Sequence, residues 1–191
     1  MVNRQLKSVV DQMCEAIETL GEQGGLDSGA GQAARYELGS FMMYLSASDG
    51  QISWEEAEII SDICELNLTP NTMGNFIRQQ NIYSTEFENK VPVTFQMMVT
   101  ADNALIEQGE EAAASEAMLD TYRVVGKALI QSDGDVDDNE VSDYRIYINM
   151  LEKYRDQNMN GAGGGASGFT KTGGASVSAP SKSGVAAPRK G

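Results

Sequence analysis

The chain has 191 residues, 22% of them charged, a formal net charge of -14 and no histidine. Its length suits one ordinary domain with appendages, and its negative charge sets nucleic acid and anionic membrane surfaces aside, since both need a basic face. The lack of histidine removes the usual general base, the Ser-His and Cys-His nucleophile pairs and most zinc sites.

Leu6, Val9, Val10, Met13, Cys14, Ile17 and Leu20 repeat at three-four spacing, which predicts an amphipathic helix over residues 1–23. The glycines of "GEQGGLDSGAGQ" cannot sustain that helix, so a glycine-rich link is expected over 24–31. The apolar stripe must bury somewhere, in cis or on another chain. Only two cysteines occur, Cys14 and Cys64, each inside an apolar stripe, and both read as buried reduced thiols. With no signal-type apolar run at the N-terminus and no stretch long enough to span a bilayer, a cytoplasmic protein without membrane insertion is expected.

A helical domain is expected over 32–157. Ala34, Leu38, Phe41, Met42 and Leu45 form a second stripe that leads to Asp49-Gly50, and Ala57, Ile60, Ile63 and Cys64 form the next. Thr69-Pro70 is a helix start, a hydroxyl cap followed by proline at the first helical position. The run "VPVTFQMMVTADNALI" suits a strand or a buried helix, and its length and surroundings favour helix. Asp102 within it reads as a helix-end aspartate, and Glu110 and Glu111 as the acidic start of the next helix. Met118, Tyr122, Val125 and Leu129 lead to a second Asp-Gly, Asp133-Gly134, after which Val141, Tyr144, Ile148, Leu151 and Tyr154 mark the last helix. The ten methionines sit within these stripes and read as core filling. From residue 158 to 191 the composition turns to Gly, Ser, Ala and Pro, a disordered tail by composition. It holds Lys171, Lys182, Arg189 and Lys190 and no acid, so of the net -14 the residues before it carry -18.

The two Asp-Gly dipeptides belong to a repeated unit, "SDGQISWEE" and "SDGDVDDNE". Each has an apolar helix, Asp-Gly, one polar residue, a β-branched apolar residue (Ile52, Val136), a capping residue (Ser53, Asp137) and Glu three further on (Glu56, Glu140). Gly50 and Gly134 stand where a helix stop needs a left-handed residue. Ser53 with Glu56, and Asp137 with Glu140, have the spacing of a capping box. Ile52 and Val136 are expected to pin the turns to the core; Trp54, just inside the first capped helix, is expected to pack over the turn, with a partly exposed anchor for a partner as the alternative. Capping by itself accounts for the spacing. Neither unit is a calcium loop alone, because the first and third ligand places hold Leu45 and Ala47, or Leu129 and Gln131. Two turns facing one another would pool Asp49, Glu56, Asp133 and Glu140 as hard oxygen ligands, with Asp135 or Asp137 nearby.

The segments "ASDGQISWEEAEIISDICELNLT" and "QSDGDVDDNEVSDYRIYINML" resemble the TerB-like domain of tellurite-resistance proteins. That resemblance implies an all-α fold, a compact helical bundle of about seven helices in two pseudo-symmetric halves. It implies metal ligands at Asp49, Glu56, Asp133 and Glu140, no catalytic residues, and no cofactor other than a divalent cation. The implied role is a non-catalytic interaction or scaffold module in a stress response, tuned by a divalent cation and acting on another protein. The alternative is a calcium or magnesium sensor that changes shape on binding. A carboxylate-metal hydrolase is a third reading, disfavoured by the lack of histidine.

Overall fold

The computed structural model describes residues 2–25, 28–134 and 136–159, and among them every regular element is a helix. In chain order these are α1 (Val2–Gln23), α2 (Ala30–Leu45), α3 (Trp54–Cys64), α4 (Pro70–Gln79), the single turn α5 (Thr85–Glu88), α6 (Val93–Glu107), α7 (Ala114–Ile130) and α8 (Asp138–Asn158). None of them is long and apolar enough to cross a membrane. The basic tail lies outside the described residues.

Four of these helices start on caps written into their own sequence. Thr69 accepts from the Thr72 N–H at 3.2 Å, Thr72 returns a bond from the Thr69 N–H, and Pro70 opens α4. Ser84 accepts from the Phe87 N–H at 3.2 Å to start α5, while Ser53 and Asp137 start α3 and α8. Such a cap satisfies backbone donors that have no partner inside the helix.

The other three described N-caps, Gly29, Pro92 and Ala113, make no side-chain cap bond. Each of these helix starts takes a carboxylate from the helix packed beside it. Glu18 of α1 accepts from the Gly29 and Gly31 N–H groups, both at 2.7 Å, at the start of α2. Glu37 of α2 accepts from the Val93 and Thr94 N–H groups at 2.8 and 3.0 Å, and from the Thr94 hydroxyl, at the start of α6. Asp102 of α6 accepts from the Ala114 and Ser115 N–H groups, each at 2.8 Å, and from the Ser115 hydroxyl, at the start of α7. A negative charge at each of these positions also meets the positive end of the helix dipole. The carboxylates therefore run as a relay, α1 to α2 to α6 to α7.

Asp102, read from its neighbours as a helix-end aspartate, lies within α6 and is fully buried, 0% exposed. The ambiguous run around it is helical, as its length implied. The amphipathic face of α1 is covered in cis, with Leu6, Val10, Met13, Cys14 and Ile17 all buried in one core with α2, α3, α6 and α7. Gly31 permits this approach. A Cβ there would stand 2.3 Å from the Cys14 carbonyl oxygen. Both cysteines are free and buried, and burial holds their thiols above the ordinary range, Cys64 at about 11. Met13, Met42, Met43, Met73, Met98 and Met118 fill the core around an aromatic group of Phe41, Tyr44, Tyr122 and Tyr147. Arg123 of α7 ties α8 to it, bonding Glu116, Asp120 and Glu152 at 2.9, 2.7 and 2.7 Å.

Candidate functional site

The two Asp-Gly turns are the segments in which α2 and α7 end. After Leu45 the chain does not stop at once. The N–H groups of Ser46, Ala47 and Ser48 still bond back to Met42, Tyr44 and Leu45, and Gly50 closes the last turn onto the Ala47 carbonyl. Gly50 has φ +80° and Gly134 φ +84°, the left-handed conformation expected of them. They lie several residues past Leu45 and Ile130, so they terminate the turn rather than cap the helix. Asp49 is set by its own turn, its Oδ1 accepting from the Gln51 N–H at 2.7 Å. Ser48 Oγ donates to Asp143 Oδ2 at 2.6 Å, and Tyr83 donates to the same oxygen at 3.2 Å, which ties the first turn to α8.

The capping boxes differ between the units. Ser53 and Glu56 form the full box: the Glu56 N–H donates to Ser53 Oγ at 3.1 Å, and the Ser53 N–H donates to Glu56 Oε2 at 2.8 Å. Asp137 instead accepts from the Asn139 N–H at 2.7 Å, one residue earlier than a box requires. Ile52 packs against the core, but Val136 is exposed and pins nothing. Trp54 is 67% exposed and does not cover the turn.

The two turns face one another across a cavity of about 310 Å³ lined by Asp49, Gln51, Ile52, Ser53, Glu56, Asp133, Asp137 and Glu140. All four acids singled out in the sequence line it, together with Asp137 and without any basic side chain. Asp135 lies outside the described residues. Glu56 and Glu140 are buried, at 3% and 7% exposure, whereas Asp49 and Asp133 are exposed. Buried acids therefore sit behind exposed ones in the same cavity.

Such an arrangement is electrostatically costly, and it shifts the buried pair toward the protonated form. Burial, then the charges of Glu56 and Asp49 and finally that of Asp133, push Glu140 up to about 7, against the pull of the Asp137 backbone N–H. Burial also raises Glu56, with the Asp133 charge adding to it, while the Ser53 backbone and the Ser46 and Ser53 hydroxyls work the other way. Ser46 is close enough to favour the Glu56 charge without completing a hydrogen bond. Glu56 Oε1 and Ser46 Oγ are both buried and without a hydrogen-bond partner. A buried carboxylate oxygen lacking a partner is rare in a folded protein and calls for a counter-charge or a donor.

Donor chemistry fits a hard divalent cation, which takes carboxylate, hydroxyl and amide oxygens. As the side chains stand, no three of them among the described residues are gathered into a ready ligand set. In a cavity of this size, an ion held by these carboxylates keeps much of its water, as magnesium does. Gln51 was not anticipated as part of the lining, and Ser46 was not anticipated beside Glu56. No motif announces either, because each enters through the path of the turn. Comparison of the chain with protein-family models, with curated proteins and with solved structures found no match.

Proposed function

We propose that the chain is a non-catalytic, TerB-like interaction module whose acidic cavity holds a divalent cation. The ion sets how the two turns are presented to a protein partner, in a cytoplasmic stress response. One observation carries this reading. Turns from distant parts of the chain contribute five carboxylates to one cavity, and one oxygen of buried Glu56 lacks a partner. Folding has brought like charges together, and a bound cation offsets that cost while leaving the carboxylates ionised. The ion would be held by Glu56, Glu140, Asp49 and Asp133, with Asp137 beside them. When bound, it supplies charge neutralisation and a bridge between the turns. Strict sensing is the second reading. It is favoured by the Ser48–Asp143 bond, which joins the first turn to α8, so that movement of one shifts the other.

Melting temperature against added Ca²⁺, Mg²⁺, Mn²⁺ or Zn²⁺ tests the proposal, because a ligand of the folded state must raise it. Wild type is expected to gain several degrees with at least one ion. Glu56→Gln keeps the capping geometry, since an amide also completes the box, and it is expected to fold and lose most of the gain. Asp133→Asn is expected to do the same. If no ion shifts wild type, or both variants shift as wild type does, the proposal fails.

A further inference from the structure

The first Asp-Gly turn has a second side. Asp49 and Gln51 line the acidic cavity, whereas Ala47 and Gly50 line a separate groove of about 370 Å³ shared with α4, and Ile52 lines both. Ala47, Ile52 and Ile77 make the apolar part of the groove, and Arg78, Asn81 and Tyr83 the polar part. No acidic residue lines it, in a chain that holds 28 of them.

Gly74 of α4 shapes the groove. A Cβ on it would stand 3.4 Å from Ile52 Cδ1 and 3.6 Å from Arg78 Nη1, so a methyl group and a guanidinium flank one notch. The other terminal nitrogen of that guanidinium is held by Asn75, whose Oδ1 accepts from Arg78 Nη2 at 2.6 Å. Arg35, Arg123 and Arg155 each bond a carboxylate, but among the described residues Arg78 meets none. Asn81 follows the end of α4 in the left-handed conformation, φ +52°. Its backbone is spent on the Arg78 carbonyl and the Ser84 hydroxyl, which leaves its side-chain amide for a ligand.

An apolar floor with a few converging polar groups is the form of a ligand site, and a guanidinium without a carboxylate partner selects a carboxylate or a phosphate. The notch chooses between them. At the free end of a polypeptide, the carboxylate and the side chain leave one α-carbon. That geometry suits an arginine and an isoleucine methyl on either side of one notch.

We infer that this groove captures the C-terminal carboxylate of a partner protein whose last residue is apolar, the carboxylate on Arg78 and the side chain on Ile52 and Ile77. The inference names the docking place of the interaction module proposed above and rests on that reading for the partner, though not for the ion. Since the Asp49-Gly50 turn and Ile52 serve both sites, an ion in the cavity and a chain end in the groove bear on the same turn.

Amide-detected NMR of the full chain in the presence of chelator tests this, with N-acetyl-Gly-Leu as the free acid. The acid is expected to shift the Gly50, Gly74 and Asn81 signals together and to saturate at millimolar order, as about sixteen non-hydrogen atoms allow. The C-terminal amide of the same peptide, and inorganic phosphate, are expected to bind at least about tenfold more weakly. Arg78→Gln, at an exposed position, is expected to fold and to weaken the acid by a similar factor. Gly74→Leu fills the notch at a helical position and is expected to abolish the shifts, with the melting temperature checking that it folds. Equal binding of acid and amide, or unchanged binding by Arg78→Gln, overturns the inference. So do phosphate binding as tight as the peptide's and shifts confined to the surroundings of other basic residues such as Lys90 or Lys127. If the peptide binds and no divalent ion does, the docking site stands and the cation reading falls. If an ion binds while the peptide does not, the reverse holds.

Discussion

Glu140 shows at one residue what the cavity costs. Its carboxyl, pushed from 4.5 to about 7 by burial and by Glu56, Asp49 and Asp133, holds its proton in the folded chain to higher pH than in the unfolded one. Between those two values the folded state binds more protons, so stability falls as pH rises through the window and is fully regained below it. The loss is at most about 3.5 kcal/mol, since each tenfold difference in proton affinity between folded and unfolded chain is worth roughly 1.4 kcal/mol. In chelator-treated protein the melting temperature should therefore drop between about pH 5 and pH 7.5, and Glu140→Gln should flatten the drop. A profile that rises over that range would mean that neither burial nor the neighbouring acids raise Glu140 in the folded chain.

Among the helices, the relay of Glu18, Glu37 and Asp102 does the work that local caps do for α3, α4, α5 and α8. It also joins neighbours: each carboxylate belongs to one helix and satisfies the first turn of another, so capping and docking are one event. Asp102 is the most buried member, with three donors aimed at it and Arg155 Nε at 3.0 Å from the same Ser115 hydroxyl. Asp102→Asn changes no volume but turns one side-chain acceptor into a donor facing a backbone N–H. It should cost about 1–3 kcal/mol in urea unfolding, against less than about 0.5 for Glu110→Gln on the surface. Hydrogen exchange should quicken in the first turn of α7 in the same variant. Equal stabilities would show that α7 starts without help from α6.

For the whole molecule, the balance of charge decides the response to solution conditions. The residues before the tail carry -18 and the tail +4, which leaves the net -14, and the described ion pairs engage only some of the acids. Self-repulsion among the rest destabilises the compact state. Raising monovalent salt from about 20 to 300 mM shortens the screening length severalfold and should raise the melting temperature of ion-free protein. A fall instead would mean that pairs such as Arg123–Glu152 and Arg35–Asp11 outweigh the repulsion. With saturating divalent ion the salt effect should shrink, because the densest group of like charges is already neutralised.

The seven longer helices, the Thr69-Pro70 start, the Ser53–Glu56 box and the left-handed glycines were legible in the order of residues. Helical periodicity and capping act within about four positions, so the sequence states them outright. That all four acids of the two Asp-Gly units would line one cavity was only a condition there, two turns having to face one another. The packing of α2, α3, α7 and α8 met it. Local spacing misled wherever the partner was remote. Asp102 looked like a helix-end aspartate, Val136 like a pin and Trp54 like a cover on its turn, because burial depends on which helix arrives opposite. The sequence by itself determined the helices and the residue types offered for a site. Tertiary structure alone decided which acids share a cavity, which oxygen of Glu56 goes unpartnered and which carboxylates cap a neighbouring helix, since burial and charge repulsion arise only when distant segments meet.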